Sequence, residues 1–268
     1  MIGHPAFLFP LGLIVGLIGS LMGVGGGFLV VPLLIRGMDF EPKAATAASL
    51  GIVFLSALSG TFANVKRKRI DYRTGVILAL GTLPGAWLGR IVIRAIPPQA
   101  FAYSFGGLLI GVALYVFFVK LKTGQGLLRG TPREVTDSEG QVHRYEANWP
   151  VGFAVSLGIG VISSLFGIGG GIVLVPFLVL VYAMPQVCAT AVAQFTFLFA
   201  SAMGVAKAVL DHQMTDAGWR VIALLGIGVI VGAHLGVAVA KKLPERAFRA
   251  MLSALIVGVA ATMFWKRA

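Results

Sequence analysis

The chain has 268 residues, of which 57% are hydrophobic and only 12% charged, and its mean hydropathy is +0.91. Soluble domains carry about 25% charged residues, so this chain has too little polar surface to face water, and it reads as a membrane protein. The net charge of +12 lies mainly in short loops between apolar runs, which is the pattern of loop topology and anionic headgroups; with no polar domain to carry a groove reader, nucleic-acid binding is excluded.

Eight apolar runs follow in chain order: Ala6 to Ile35, Ala44 to Ala63, Thr74 to Val92, Ala100 to Val119, Pro150 to Tyr182, Val187 to Ala206, Trp219 to Ala240 and Met251 to Trp265. Most have the roughly 17 to 25 residues that cross a hydrocarbon layer about 30 Å thick. The expectation is an all-α polytopic transmembrane bundle of about eight segments. No basic stretch precedes Phe7, so the first run reads as a membrane segment rather than a secretory leader. Lys120 to Asn148 is a polar linker in which Gly, Pro and both signs of charge accumulate without sustained periodicity. It is too polar to cross lipid and too short for a domain. The expected organisation is therefore 1–119 as a first membrane repeat, 120–148 as a cytoplasmic linker and 149–268 as a second membrane repeat.

The two halves are duplicates. An offset of 144 lays Gly25, Gly26 and Gly27 on Gly169, Gly170 and Gly171, Pro32 on Pro176, Thr46 on Thr190 and Gly60 on Gly204. Past a three-residue insertion, an offset of 147 lays Gly85, Ala86 and Gly89 on Gly232, Ala233 and Gly236, and Pro97 on Pro244. Agreement of order, spacing and proline position over nearly the full length marks an internal repeat, expected as two four-segment units. The first run of each unit is long for one crossing: Ala6 to Ile35 would extend roughly 45 Å as a continuous helix, and the glycine triplet sits inside it. Two arrangements stay open. Either all eight runs cross and the halves are parallel, or the glycine runs enter and return and the halves are inverted; both place 14 of the 22 Lys and Arg residues on the cytoplasmic side.

A glycine triplet lets a helix stop inside the membrane, because glycine adopts positive φ without steric cost. The backbone groups freed there need protein, water or a ligand as partners, so each break faces the interior. If a helix restarts after the break, its first N–H groups make an anion-compatible site without a charged side chain. The alternative is close helix packing through small residues. Pro32 and Pro176 follow each break, either kinking the outgoing helix or relieving strain between segments. Few other polar side chains lie within the apolar runs. Thr46 and Ser49 share a face at i, i+3, as do Thr190 and Gln194 at i, i+4; each pair either donates hydrogen bonds to an anion or holds a neighbouring helix. Asn64 and Lys207 are accessory candidates, Lys207 as a counter-charge or a snorkelling side chain. His234, where the first half has Trp87, is a candidate proton carrier or a structural histidine. Cys188 alone offers neither an intramolecular disulfide nor a metal cluster, and no metal or other cofactor is expected. No nucleophile–base signature or phosphate-binding loop with its lysine is present, so the chain does not read as an enzyme.

The stretches "SLMGVGGGFLVVPLL" with "AATAASLG", repeated as "SLFGIGGGIVLVPFL" with "CATAVAQF", resemble the sulfite exporter TauE/SafE family of integral membrane permeases over nearly the whole chain outside the linker. The resemblance implies a permease of about eight segments in a bacterial inner membrane that moves sulfite, sulfoacetate or related organosulfonates, with a small anion as partner. It implies substrate-binding roles for Gly25, Gly26, Gly27, Pro32, Thr46 and Ser49, and for Gly169, Gly170, Gly171, Pro176, Thr190 and Gln194. An anion channel and a structural subunit of a larger complex are the alternatives. Direction, coupling to protons and oligomeric state are open at this stage.

Overall fold

The computed structural model describes residues 5–118, 128–239 and 245–264. In the first half α1 spans Pro5–Leu21, α2 Gly27–Pro32, α3 Pro42–Lys66, α4 Tyr72–Val92 and α5 Pro98–Phe118; in the second, α6 spans Trp149–Phe166, α7 Gly171–Val181, α8 Gln186–Leu210, α9 Asp216–Val239 and α10 Glu245–Phe264. Among the described residues each half thus shows five α-helices rather than four segments. Among the described residues, five helices are long and apolar enough to cross a membrane, α3, α4 with the turn that follows it, α6, α8 and α9, which corrects the expectation of about eight in two four-segment units. The physical reason is in the chain. The first run of each half is cut by its glycines into α1 and α2, or α6 and α7, and the described apolar stretches of α5 and α10 are shorter.

Glycine contacts fix the helix directions. Gly12 and Gly16 of α1 lie on Leu225 and Val229 of α9, so these helices run parallel; Gly81, Gly85 and Gly89 of α4 lie on Ser156, Leu157 and Val161 of α6, again parallel. Helix α3 runs with α9, Gly51 meeting Ile222 and Leu55 meeting Gly226, but against α8, Gly60 meeting Gln194 and Leu50 meeting Gly204. The first half is therefore inverted relative to the second. The small-residue stripes Gly81, Gly85, Gly89 and Gly228, Gly232, Gly236 each admit the backbone of the other half's first helix, the close approach on which helix pairs in lipid rely. The halves are interlocked, with α3 and α8 at the centre.

The linker departs from expectation. Residues 120–127 lie outside the described residues, but β1 (Thr131–Thr136) and β2 (Val142–Ala147) form an antiparallel hairpin, Thr131 opposite Ala147 and Thr136 opposite Val142. Alternate residues of β2 are buried, so the strand period is present in "VHRYEA". Asp137 shapes the turn, accepting from the amides of Glu139 and Gln141 at 2.9 Å each. The hairpin docks where α3 turns into α4. There Asp71 caps α4, accepting from Arg73 N at 3.0 Å and Thr74 N at 3.3 Å, and also receives Arg133 Nη2 at 2.7 Å and the Tyr145 hydroxyl. Burial pushes the Asp71 carboxyl pKa up, but these hydrogen bonds outweigh it and hold it at about 2. This is the hairpin end of the bundle; the start of α3 and the α8–α9 turn form the opposite end.

Candidate functional site

The two glycine breaks cross in the interior. After α1, the amides of Val24 and Gly25 both donate to Gly19 O, at 2.7 and 3.0 Å, and Gly26 opens α2 with φ 79°, its carbonyl accepting from Leu29 and Val30. The second half repeats this: Gly170, φ 76°, opens α7 and its carbonyl accepts from Val173 and Leu174. A side chain in this left-handed region costs roughly 1–2 kcal/mol, which is why glycine stands there. The break of each half presses on the other half's threonine. A Cβ on Gly23 would lie 2.8 Å from Thr190 Cα, and one on Gly167 would lie 2.8 Å from Thr46 Cα. Likewise Gly27 lies against Gly167 and Ile168, Gly171 against Gly23 and Val24, and Val53 fills the space between Gly25 and Gly169. Ser49 donates to Gly167 O at 2.7 Å, with Gly27 O at 3.4 Å, so it serves a carbonyl that the end of α6 leaves without a helical partner.

Thr46 and Thr190 sit at opposite ends of the bundle, because α3 and α8 are antiparallel. At the Thr46 end, its hydroxyl accepts from Arg90 Nη1 at 2.8 Å and donates to Pro42 O at 2.9 Å. Arg90 is fully buried and also donates to Lys43 O and Gln213 Oε1. Beside it Asp211 pairs with Lys207 at 2.7 Å and with Arg94. Burial raises the Asp211 pKa, but these two cations reverse that and lower it. Lys207 also lies 4.6 Å from the centre of the Trp87 ring, so it is held in a structural pair.

At the Thr190 end, Thr190 donates to Val187 O at 3.0 Å. Gln194 is buried and fully engaged: its Nε2 donates to Ser20 Oγ at 2.6 Å and Ser20 O at 3.1 Å, and its Oε1 accepts from Asn64 Nδ2 at 2.7 Å. Arg69, 4% exposed, closes this group, and a small cavity of about 10 Å³ lies among Ser20, Asn64, Arg69, Val187, Thr190 and Val237.

The fold thus gathers the two glycine triplets with Ser49 in one crossing, and places Thr46 and the pair Thr190–Gln194 with Asn64 at its two sides. It does not bring Lys207 or His234 to the crossing; His234 lies on the exposed face of α9. Pro32 ends α2, which loosens into a wide helical turn over Leu33–Gly37, whereas α7 continues through Pro176 to Val181. Sequence reasoning missed both buried arginines. Arg90 is a lone charge inside an apolar run, "WLGRIV", and that was its signal; Arg69 was hidden in a basic loop whose charge reads as headgroup contact.

Comparison with known proteins agrees with this architecture. The model of the family described as Sulfite exporter TauE/SafE matches residues 8–263. The chain is similar to the "Probable membrane transporter protein YunE" of Bacillus subtilis, 28% identical over 97% of both chains, and to a probable membrane transporter protein of Methanocaldococcus jannaschii, 26% identical over 93% of this chain and 91% of that one. It is also similar to "Sulfite exporter TauE/SafE family protein 3" of Arabidopsis thaliana, 28% identical over 48% of this chain and 27% of that one. No solved structure gives a significant match. With a family match over almost its whole length and five helices fit to cross a membrane, the chain belongs to the Sulfite exporter TauE/SafE family and is a multi-pass membrane transporter, not an enzyme.

Proposed function

We propose that the protein carries small oxyanions, sulfite or organosulfonates such as sulfoacetate, across a bacterial inner membrane. The observation that carries this reading is the reciprocal crossing: each half's glycine break rests on the other half's threonine, Gly23 on Thr190 and Gly167 on Thr46, and a buried arginine stands beside each threonine. Inverted halves with broken helices give two related half-sites that exchange environments when one half rocks against the other. In this reading the backbone of Gly25, Gly26, Gly27, Gly169, Gly170 and Gly171 lines the passage, Pro32 and Pro176 set the outgoing helices, and Thr46, Ser49, Thr190 and Gln194 supply polar contacts. The linker hairpin faces the cytoplasm, because Lys66, Arg67, Lys68, Arg69, Arg73, Arg133 and Arg144 all lie at its end of the bundle.

The test is flux into proteoliposomes with sulfite, thiosulfate, sulfoacetate, taurine, sulfate and lactate, with and without a pH gradient. A saturable flux of one or a few sulfur oxyanions or sulfonates is expected, and a gradient-dependent rate would identify protons as the coupling ion. Unsaturable flux at far higher turnover would indicate a channel instead. No flux of any anion in the panel would overturn the reading.

A further inference from the structure

We infer that Arg69 and Ser20, framed by Asn64 and Thr190, form a docking site for one oxygen of a small oxyanion at the hairpin end, and that Glu139 of the hairpin competes with the anion for Arg69. This rests on the anion-transport reading above. Arg69 is almost completely buried, yet its Nε has no hydrogen-bond partner, and the carboxylate paired with it, Glu139, stands at 3.9 Å, the outer limit of an ion pair. Arg90 Nε at the other end also lacks a protein partner, and what sets Arg69 apart is the polar cavity it lines with Ser20, Asn64 and Thr190. The repeat makes the contrast concrete: the equivalent position in the other half holds Gln213, whose carbonyl oxygen accepts from Arg90.

The cavity beside Arg69 has the chemistry of an anion site. Its walls are two hydroxyls, an amide, a guanidinium and two valines, with no carboxylate. Asn64 spends its amide protons on Gln194 Oε1 and Gly60 O, and Thr190 spends its proton on Val187 O, so both hold shape. Ser20 Oγ accepts from Gln194 Nε2, which leaves its own proton to donate alongside Arg69 Nε. At about 10 Å³ the space takes one water-sized group. One anionic oxygen fits there, against the same guanidinium that the Glu139 carboxylate approaches at 3.9 Å, so the anion and Glu139 of the hairpin compete for one positive charge.

The experiment is calorimetric binding of sulfite and sulfoacetate to the purified full chain in detergent, comparing the parent with R69Q, S20A and E139Q. R69Q is expected to weaken binding roughly 10- to 100-fold, the loss of a charge-assisted donor, and S20A several-fold. E139Q, a change at a half-exposed side chain, is expected to tighten binding about 3- to 10-fold by removing the competing carboxylate. A parent that binds while R69Q and E139Q bind equally well overturns the site and leaves the transport reading standing. A parent that binds no anion overturns both. Should R69Q fail to fold, an unchanged affinity in E139Q overturns the proposal by itself.

Discussion

The two ends of the bundle are built on one backbone plan and filled differently. At the opposite end the fully buried Arg90 reaches from α4 to Thr46, Lys43 O and Gln213. At the hairpin end the position equivalent to Arg90 is Val237, a shorter side chain; a small cavity remains, and the arginine comes from the α3–α4 turn instead. Equivalence of helices and glycines therefore does not carry over to charge. Both guanidinium groups keep a buried Nε without a protein partner, but Arg90 spends its Nη donors on Thr46, Lys43 O and Gln213, whereas Arg69 lines a polar cavity.

The largest effect that sharpens this contrast is expected from Arg90. Arg90→Ala removes a fully buried side chain and takes the donor from Gln213 Oε1, Lys43 O and the Thr46 hydroxyl, which together should cost about 3 kcal/mol. Arg69→Gln places at the hairpin end the residue that position 213 already carries, and should cost less than about 1 kcal/mol. Thermal unfolding of both variants in detergent measures the difference; equal losses would break the distinction between a structural and a ligand-facing arginine.

Next in size is the polar group that only one end possesses. Gln194 stands where the first half has Leu50, and Asn64 where the second half has Ala208. Gln194→Leu should cost roughly 2 kcal/mol by leaving Asn64 and Ser20 without their buried partner. Adding Asn64→Ala should recover part of that loss, since the pair is then replaced by the apolar pair of the other end. A double variant less stable than either single change would show that the network does more than satisfy itself.

Much of this was legible beforehand, and the reasons differ by residue. The duplication, the helix breaks at the glycines and the interior placement of Thr46 and Gln194 follow from repeated local chemistry, which a single sequence displays directly. The direction of the halves was not legible, because counting Lys and Arg gives the same total for both arrangements; it took the contact of Gly12 with Leu225 and of Gly60 with Gln194 to separate them. Arg90 escaped because one charge barely alters the hydropathy of an apolar run. The hairpin escaped because the buried residues of "VHRYEA" are His143, Tyr145 and Ala147 rather than a run of aliphatic residues; of these, Tyr145 and Ala147 pack on the bundle's core, and Tyr145 also on Asp71.

Among the described residues a hairpin stands at one end, and pH should detach it. Asp71 is held at about 2 against an ordinary 3.8. Its contribution is thus fully present above pH 4 and is lost as pH falls through about 2, a difference of about 2 kcal/mol in the docked state. Arg73 lies 4.0 Å from the centre of the Trp149 ring beside the hairpin, so Trp149 fluorescence, with the other three tryptophans replaced by Phe, should change over that interval. Asp71→Asn should abolish the transition. A transition unaffected by Asp71→Asn would place the hairpin's anchor elsewhere.

The smallest effect is expected where the two halves differ most visibly in sequence but least in the interior. His234 of α9 and Trp87 of α4 occupy equivalent positions, and both side chains lie on exposed faces of their helices. A histidine on the outer face of α9 points away from the glycine crossing. His234→Ala should therefore leave thermal stability within about 0.5 kcal/mol of the parent and leave both the rate and the pH-gradient dependence of sulfite flux unchanged. A variant that loses only the gradient-driven component, with passive flux intact, would place proton transfer on the outer face of α9 and would require α9 to turn inward during transport. That result would break the comparison at its base, because the working difference between the halves would then lie on α9 and not at the two arginine-bearing ends.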